Sequence, residues 1–176
     1  NDENMSFIYA FAKILKINKN SFINIMSSFK GLPHRFEFFY KKKDINFIND
    51  SKATSFAATS SALSSLRNIY WILGGLPKKN DRIKIQKFRR NIVKCYLIGK
   101  NINFFKNQIR NELDFEVTRN LKNSIIQILK DIKFNKNPEK YILLSPAAAS
   151  YDQFSNFEKR GETFKKFSRL YGRKFI

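Results

Sequence analysis

The chain contains a single cysteine, Cys95, so no disulfide can form within it, and zinc sites built on paired cysteines are excluded too. Cys95 lies inside the apolar run 92–98 and reads as a buried thiol with a packing role, not as a nucleophile. This usage fits a reducing, cytoplasmic compartment. No apolar run approaches the roughly 18–20 residues that a membrane span requires. The opening Asn1-Asp2-Glu3-Asn4 carries charge of the wrong sign for a secretory leader, and no cleavage-like segment follows it. An initiating methionine is also missing, which reads as a piece or a processed form of a longer chain. No internal repeat or low-complexity tract appears.

Acidic residues are few, 14 against 34 lysines and arginines, for a net charge of +20. Such a balance invites a nucleic-acid partner. Two features argue otherwise. The lysines are scattered through every segment alongside Asn, Ile and Phe, a bias expected of an AT-rich coding sequence, and no nucleic-acid motif stands out. The charge is therefore read as solvated surface, with neither nucleic acid nor membrane expected as a partner, and a monomer is expected. With 176 residues, 43% of them apolar, the chain is long enough to bury one sizeable core and carry a short appendage.

The appendage comes first. Ile8, Phe11, Ala12 and Leu15 fall on one helical face, and Phe22, Ile23, Met26 and Phe29 on another, with Asn20-Ser21 offering an N-cap to the second helix. Gly31-Leu32-Pro33 stops that helix and marks a boundary, giving a helical segment 1–30 and a main domain 31–176. Beyond it, 36–40 and 45–48 read as two short strands around a lysine-rich turn. The Ala- and Ser-rich stretch 54–66 reads as a helix packed closely on a sheet, and 69–73, 92–98 and 141–144 as buried strands. The periodicity predicts helices over 117–132, with Leu121, Ile125, Leu129 and Ile132 inward, and over 157–170. The basic stretch 78–90 reads as a solvated loop. Near-continuous apolar strands alternating with helices predict an α/β fold, a mostly parallel sheet with helices on both faces.

In such sheets ligands bind beyond the carboxyl ends of the strands. Three turns there hold polar residues: Asn49-Asp50-Ser51-Lys52-Ala53-Thr54, then Gly74-Gly75-Leu76-Pro77-Lys78, then Ser145 through Phe154. Each could merely cap a helix. Together they converge hydroxyls, ammonium groups and free backbone N–H groups, which suits a small dianion plus the sugar or phosphates of a nucleotide.

These turns, with Gly31-Leu32-Pro33-His34-Arg35-Phe36-Glu37 before them and Asp152-Gln153-Phe154, Asn156-Phe157-Glu158 and Arg160-Gly161 after, resemble in order and spacing the D-glutamate-adding branch of the Mur ligase family. Asn1 through Asn4 resembles the tail of that family's His-Asn-x-x-Asn motif. The resemblance implies a Rossmann-like C-terminal domain at 31–176 and, at 1–30, the helical end of a central ATPase domain. It also implies an ATP-driven ligase of peptidoglycan synthesis that joins D-glutamate to UDP-N-acetylmuramoyl-L-alanine through an acyl phosphate. By the same resemblance Thr54 and Lys78 hold the α-carboxylate of D-glutamate. Ser150 and the backbone around Phe157 hold the γ-carboxylate, and Tyr151 walls the pocket where relatives carry Phe or Leu. Asn4 faces adenine, Asp50 the ribose and Arg35 the phosphates, with His34, Lys52 and Arg160 in support.

The lysine turn reads Gly-Gly-Leu-Pro-Lys where many relatives have Gly-Gly-Asp-Gly-Lys, and Lys79 beside Lys78 leaves the contacting lysine open by one position. No Gly-x-x-x-x-Gly-Lys-Ser/Thr loop occurs, and the family's Mg2+ ligands belong to its central domain, so no metal ligand is expected here and the chain alone is expected to be inactive. The alternatives are the corresponding domain of another Mur or folylpolyglutamate-type ligase, and a basic nucleic-acid-binding module.

Overall fold

Strand residues that alternate between two greasy faces require a sheet covered on both sides, and that is the arrangement found in the computed structural model, which describes residues 2–29, 31–136 and 139–176. Among the described residues six strands form one sheet, in the order β1-β2-β6-β3-β4-β5. They are β1 Glu37–Lys42, β2 Ile45–Asn49, β3 Ile69–Gly74, β4 Ile92–Ile98, β5 Phe115–Arg119 and β6 Lys140–Leu144. Among these six strands the β1–β2 hairpin is antiparallel and the other pairings are parallel.

Alternate residues of one strand feed different cores. Trp71 and Leu73 join Leu143, Cys95 and Leu97 beneath α3 (Phe56–Ser65) and α4 (Ile102–Ile109). Tyr70 and Ile72 join Ile142, Tyr96 and Phe47 beneath α5 (Leu121–Asp131) and α6 (Phe157–Phe175). Burial pushes the Cys95 thiol up, which makes it a packing residue as expected. The serines and alanines of α3 keep that helix narrow. Ser60, Ser64 and Ser65 each donate to the carbonyl four residues back, so their hydroxyls are satisfied locally.

Several expectations need correction. The segment 117–132 is not one helix. Phe115–Arg119 is an edge strand, and the helix begins only at Leu121, after Asn120, whose Oδ1 accepts from the Asn123 N–H at 2.9 Å. Helix α4 and strand β5 were not anticipated, and the basic stretch after β3 contains two short 3-10 turns, Ile85–Lys87 and Arg89–Asn91.

The remaining residues form a compact unit of their own, Asn1–Gly31, distinct from Leu32–Ile176. It is a helical pair, α1 (Asp2–Ile14) and α2 (Lys19–Ser28), joined by an edge-on contact of Tyr9 with Phe22 at 5.5 Å. Its N-cap is Asn18, not Asn20: the Asn18 Oδ1 accepts from Asn20 and Ser21. Asn1 and Lys30 lie outside the described residues. No helix among those described is long and apolar enough to cross a membrane.

Candidate functional site

Because β2, β6 and β3 are neighbours and parallel, the turns leaving Asn49, Leu144 and Gly74 emerge along one rim. The first two turns are tied together by Asp50. Its N–H donates to Leu144 O at 2.8 Å, its Oδ2 lies 2.6 Å from the Ser145 hydroxyl, and its Oδ1 accepts from the Phe36 N–H at 3.1 Å. Burial pushes its carboxyl up to about 6, against the pull of the Ser145 hydroxyl, the Phe36 N–H and the charge of Arg35. Asp50 therefore still ionises near neutral pH, with both oxygens engaged by the protein.

Arg160 is the second tie. Reaching up from α6, it is 1% exposed; its Nε donates to Ser51 Oγ at 3.0 Å, and Nη2 donates to the carbonyls of Ser51 and Ala148 at 2.8 and 2.9 Å. Ser51 in turn donates to the Phe157 carbonyl at 2.8 Å. Burial lowers the guanidinium to about 10, partly offset by Asp152, so it stays cationic. Gly75 must be glycine beside it, since a Cβ there would lie 2.3 Å from Ala149 O and 3.3 Å from Arg160 Nη1.

His34 adopts a left-handed backbone, φ 63°, and is buried. The Asn49 side chain accepts from the Ser51 N–H through Oδ1 (3.2 Å), which fixes its Nδ2 as the donor to Glu37 (2.9 Å). His34 Nδ1, 2.9 Å from the same Nδ2, is then an acceptor, and the ring proton sits on Nε2 facing Glu162 at 3.6 Å. The Lys52 ammonium stands 3.8 Å over the Phe157 ring, which meets His34 edge-on at 5.9 Å. The supporting residues His34, Lys52 and Arg160 thus form one interlocked base beneath the rim.

The five residues expected at D-glutamate lie in these turns and at the start of α6. Thr54 is half-buried in the turn into α3, Lys78 is exposed, Ser150 is 2% exposed, Phe157 is half-buried and Tyr151 is 71% exposed. Leu76 and Ala149 exchange two backbone hydrogen bonds, of 2.9 and 3.0 Å, which clasp the Lys78 and Ser150 turns together. Asp81 closes the other side: its N–H donates to Lys78 O at 3.2 Å while its Oδ2 accepts from the Phe56 N–H at 2.9 Å, two residues past Thr54. The rim stays open, and none of the surface cavities described, 310 to 630 Å³ in volume, is walled by these three turns together. Of the expected nucleotide residues, Arg35 is exposed next to buried Asp50, and Asn4 lies on α1 in the other unit.

No protein-family model matches the chain. Curated relatives do match it. The UDP-N-acetylmuramoylalanine–D-glutamate ligase of Rickettsia bellii is 40% identical over 164 residues, covering 93% of this chain and 36% of the relative. That of Rickettsia felis is 38% identical over 169 residues, 96% of this chain and 38% of the relative. That of Wolbachia pipientis is 40% identical over 164 residues, 93% and 32%. The chain belongs to the family of these ligases. It spans about a third of the length of the relatives it matches.

Several residues of this rim carry more than the sequence assigned to them: Asn49, Ser51 and Ser145 were named there only as parts of the turns, and Asp81 not at all, yet all four hold the rim together. Asp152, which accepts from the Lys100 N–H at 2.9 Å, and Asn101, which donates to Gly75 O at 2.9 Å, extend it to β4. Among the described residues no group of three or more His, Cys, Asp or Glu is placed to hold a metal ion.

Proposed function

We propose that this chain is the C-terminal part of an ATP-dependent ligase that adds D-glutamate to UDP-N-acetylmuramoyl-L-alanine in cytoplasmic peptidoglycan synthesis. The observation that carries this reading is the clasped rim, where Thr54, Lys78 and Ser150 leave three adjacent parallel strands in a chain 38–40% identical to such ligases. The Thr54 hydroxyl and the Lys78 ammonium take the α-carboxylate. The Ser150 hydroxyl and the first-turn N–H groups of α6 at Phe157 take the γ-carboxylate, with Tyr151 beside them. Two fixed ends orient the amine between them, and orientation is the main thing such a site must supply. For ATP, Arg35 presents its planar fork to phosphate, with Asp50 beside it for the ribose.

No group of three or more His, Cys, Asp or Glu is gathered among the described residues, and no step is assigned to Mg2+ on this chain. Adding one methylene changes the span between the two carboxylates, and inverting the α-carbon turns the amine away while both carboxylates are held, so the rim should tell D- from L-glutamate. Calorimetric titration of the purified chain at millimolar amino acid checks this: D-glutamate binds, L-glutamate does not, and Lys78→Ala or Ser150→Ala abolishes the heat. Equal heats for both enantiomers, or none for D-glutamate, would overturn the assignment of these residues.

A further inference from the structure

Folding gathers part of the positive charge that looks scattered along the chain. Arg67, Arg82, Lys84, Lys87 and Arg90 are all exposed, and among the described residues none of the five joins an ion pair, whereas their neighbour Arg89 is matched by Glu112 at 3.7 Å. They line a groove along the outer face of α3. One cavity of about 450 Å³ runs between Ser60 and Ser64 of α3 and Arg82, Lys84 and Lys87. A second, of about 500 Å³, continues between Ser64, Arg67, Lys87 and Arg90. Both are lined by Ser64 and Lys87, so the two cavities adjoin along α3. The acid within it, Asp81, already accepts from the α3 terminus. Five unpaired cations along a trough repel one another, and a run of anions relieves that repulsion.

We propose that this groove binds the phosphate backbone of a nucleic acid without reading its bases. A concave row of cations suits a single strand of phosphates better than the flat face of a bilayer. No large apolar side chain is exposed within it: Phe56 and Phe88 are buried and Ile83 is half-buried. An acidic protein partner would lack an anchor there, since protein interfaces draw most of their energy from a few buried aromatic or aliphatic contacts. For the same reason no ring is offered for base stacking, so affinity comes from counterion release alone. This surface adjoins the amino-acid rim at Asp81 but contains none of the residues assigned to D-glutamate, and it does not depend on the ligase reading.

The test is fluorescence anisotropy of the whole chain with a labelled oligothymidylate and with mixed-sequence single strands. Binding is expected in the micromolar range, independent of sequence, with a plot of log affinity against log salt no steeper than about −3.5, which is roughly 0.7 for each of five phosphate contacts. The triple variant R82E/K87E/R90E is expected to lose more than tenfold in affinity. A charge-matched control, K122E/K130E/K166E on α5 and α6 across the sheet, is expected to stay within twofold. Equal weakening by both variants would mean diffuse attraction to a basic protein and would overturn the groove. So would retention of the chain by phosphatidylglycerol vesicles through the same three residues with no binding to the oligonucleotide.

Discussion

At Asp50 the cost of burying a charge is visible in one residue. Its carboxyl is pushed from 3.8 to about 6, so between those values the folded chain holds a proton that the unfolded chain has released. Stability is then greatest below pH 4 as far as this group is concerned, and it falls as pH rises through 6, by about 3 kcal/mol in all. Asp50→Asn removes the titration while keeping both contacts, with the amide oxygen accepting from Phe36 and the amide nitrogen donating to Ser145. Urea unfolding as a function of pH should show the variant gaining on the wild type between pH 4 and 7; parallel curves would refute the burial argument. Gly161 is the opposite case, a helical glycine where alanine ought to help. Alanine would gain up to about 1 kcal/mol of helix propensity. Its Cβ, however, would lie 2.2 Å from the Nδ1 of His34 and 3.0 Å from the Asn49 amide, both held by the Glu37 network, and overpacking of that kind costs about 1–3 kcal/mol. Gly161→Ala is therefore expected to lower the unfolding free energy by about 1–2 kcal/mol in chemical denaturation, and a more stable variant would show that His34 moves freely.

Elements differ in how far their sequence announces them. The central strands β3, β4 and β6 are legible because both faces are apolar without a break, and α6 because its inward stripe persists for several turns. Strand β5 is not. Phe115-Glu116-Val117-Thr118-Arg119 lies at the sheet edge with one neighbour, so polar residues are tolerated on it, and its Val117 and Thr118 merge into the apolar period of the helix that follows. The signal that separates them is Asn120, which caps α5. Asn120→Ala should cost about 1 kcal/mol in urea unfolding with the helix content retained, whereas no change would make the cap idle. The site divides in the same way. Thr54, Lys78 and Ser150 could be placed by their position after strands. Their clasps, Ser145 to Asp50, Arg160 to Ser51 and Asp81 to Phe56, join residues distant in sequence and leave no periodic trace, so only the folded chain reveals them.

For the whole molecule, the decisive fact is where the cores lie. Every residue of both buried clusters falls between Phe36 and Ile176, and the helical unit Asn1–Gly31 contributes to neither. Within that unit Ala12 is the one hydrophobic residue that is buried among those described, while Phe7, Phe11, Ile14 and Leu15 are exposed. Helices of 13 and 10 residues without a core fall near the length at which isolated helices in water are marginal. The sheet and its flanking helices therefore carry the cooperative unfolding transition. A chain cut to residues 32–176 should keep a single urea transition, and its circular dichroism should differ from that of the full chain by the loss of helical signal alone. The peptide 1–31 on its own should show little helix. A shortened chain that unfolds without cooperativity would mean that the helical unit completes the fold after all.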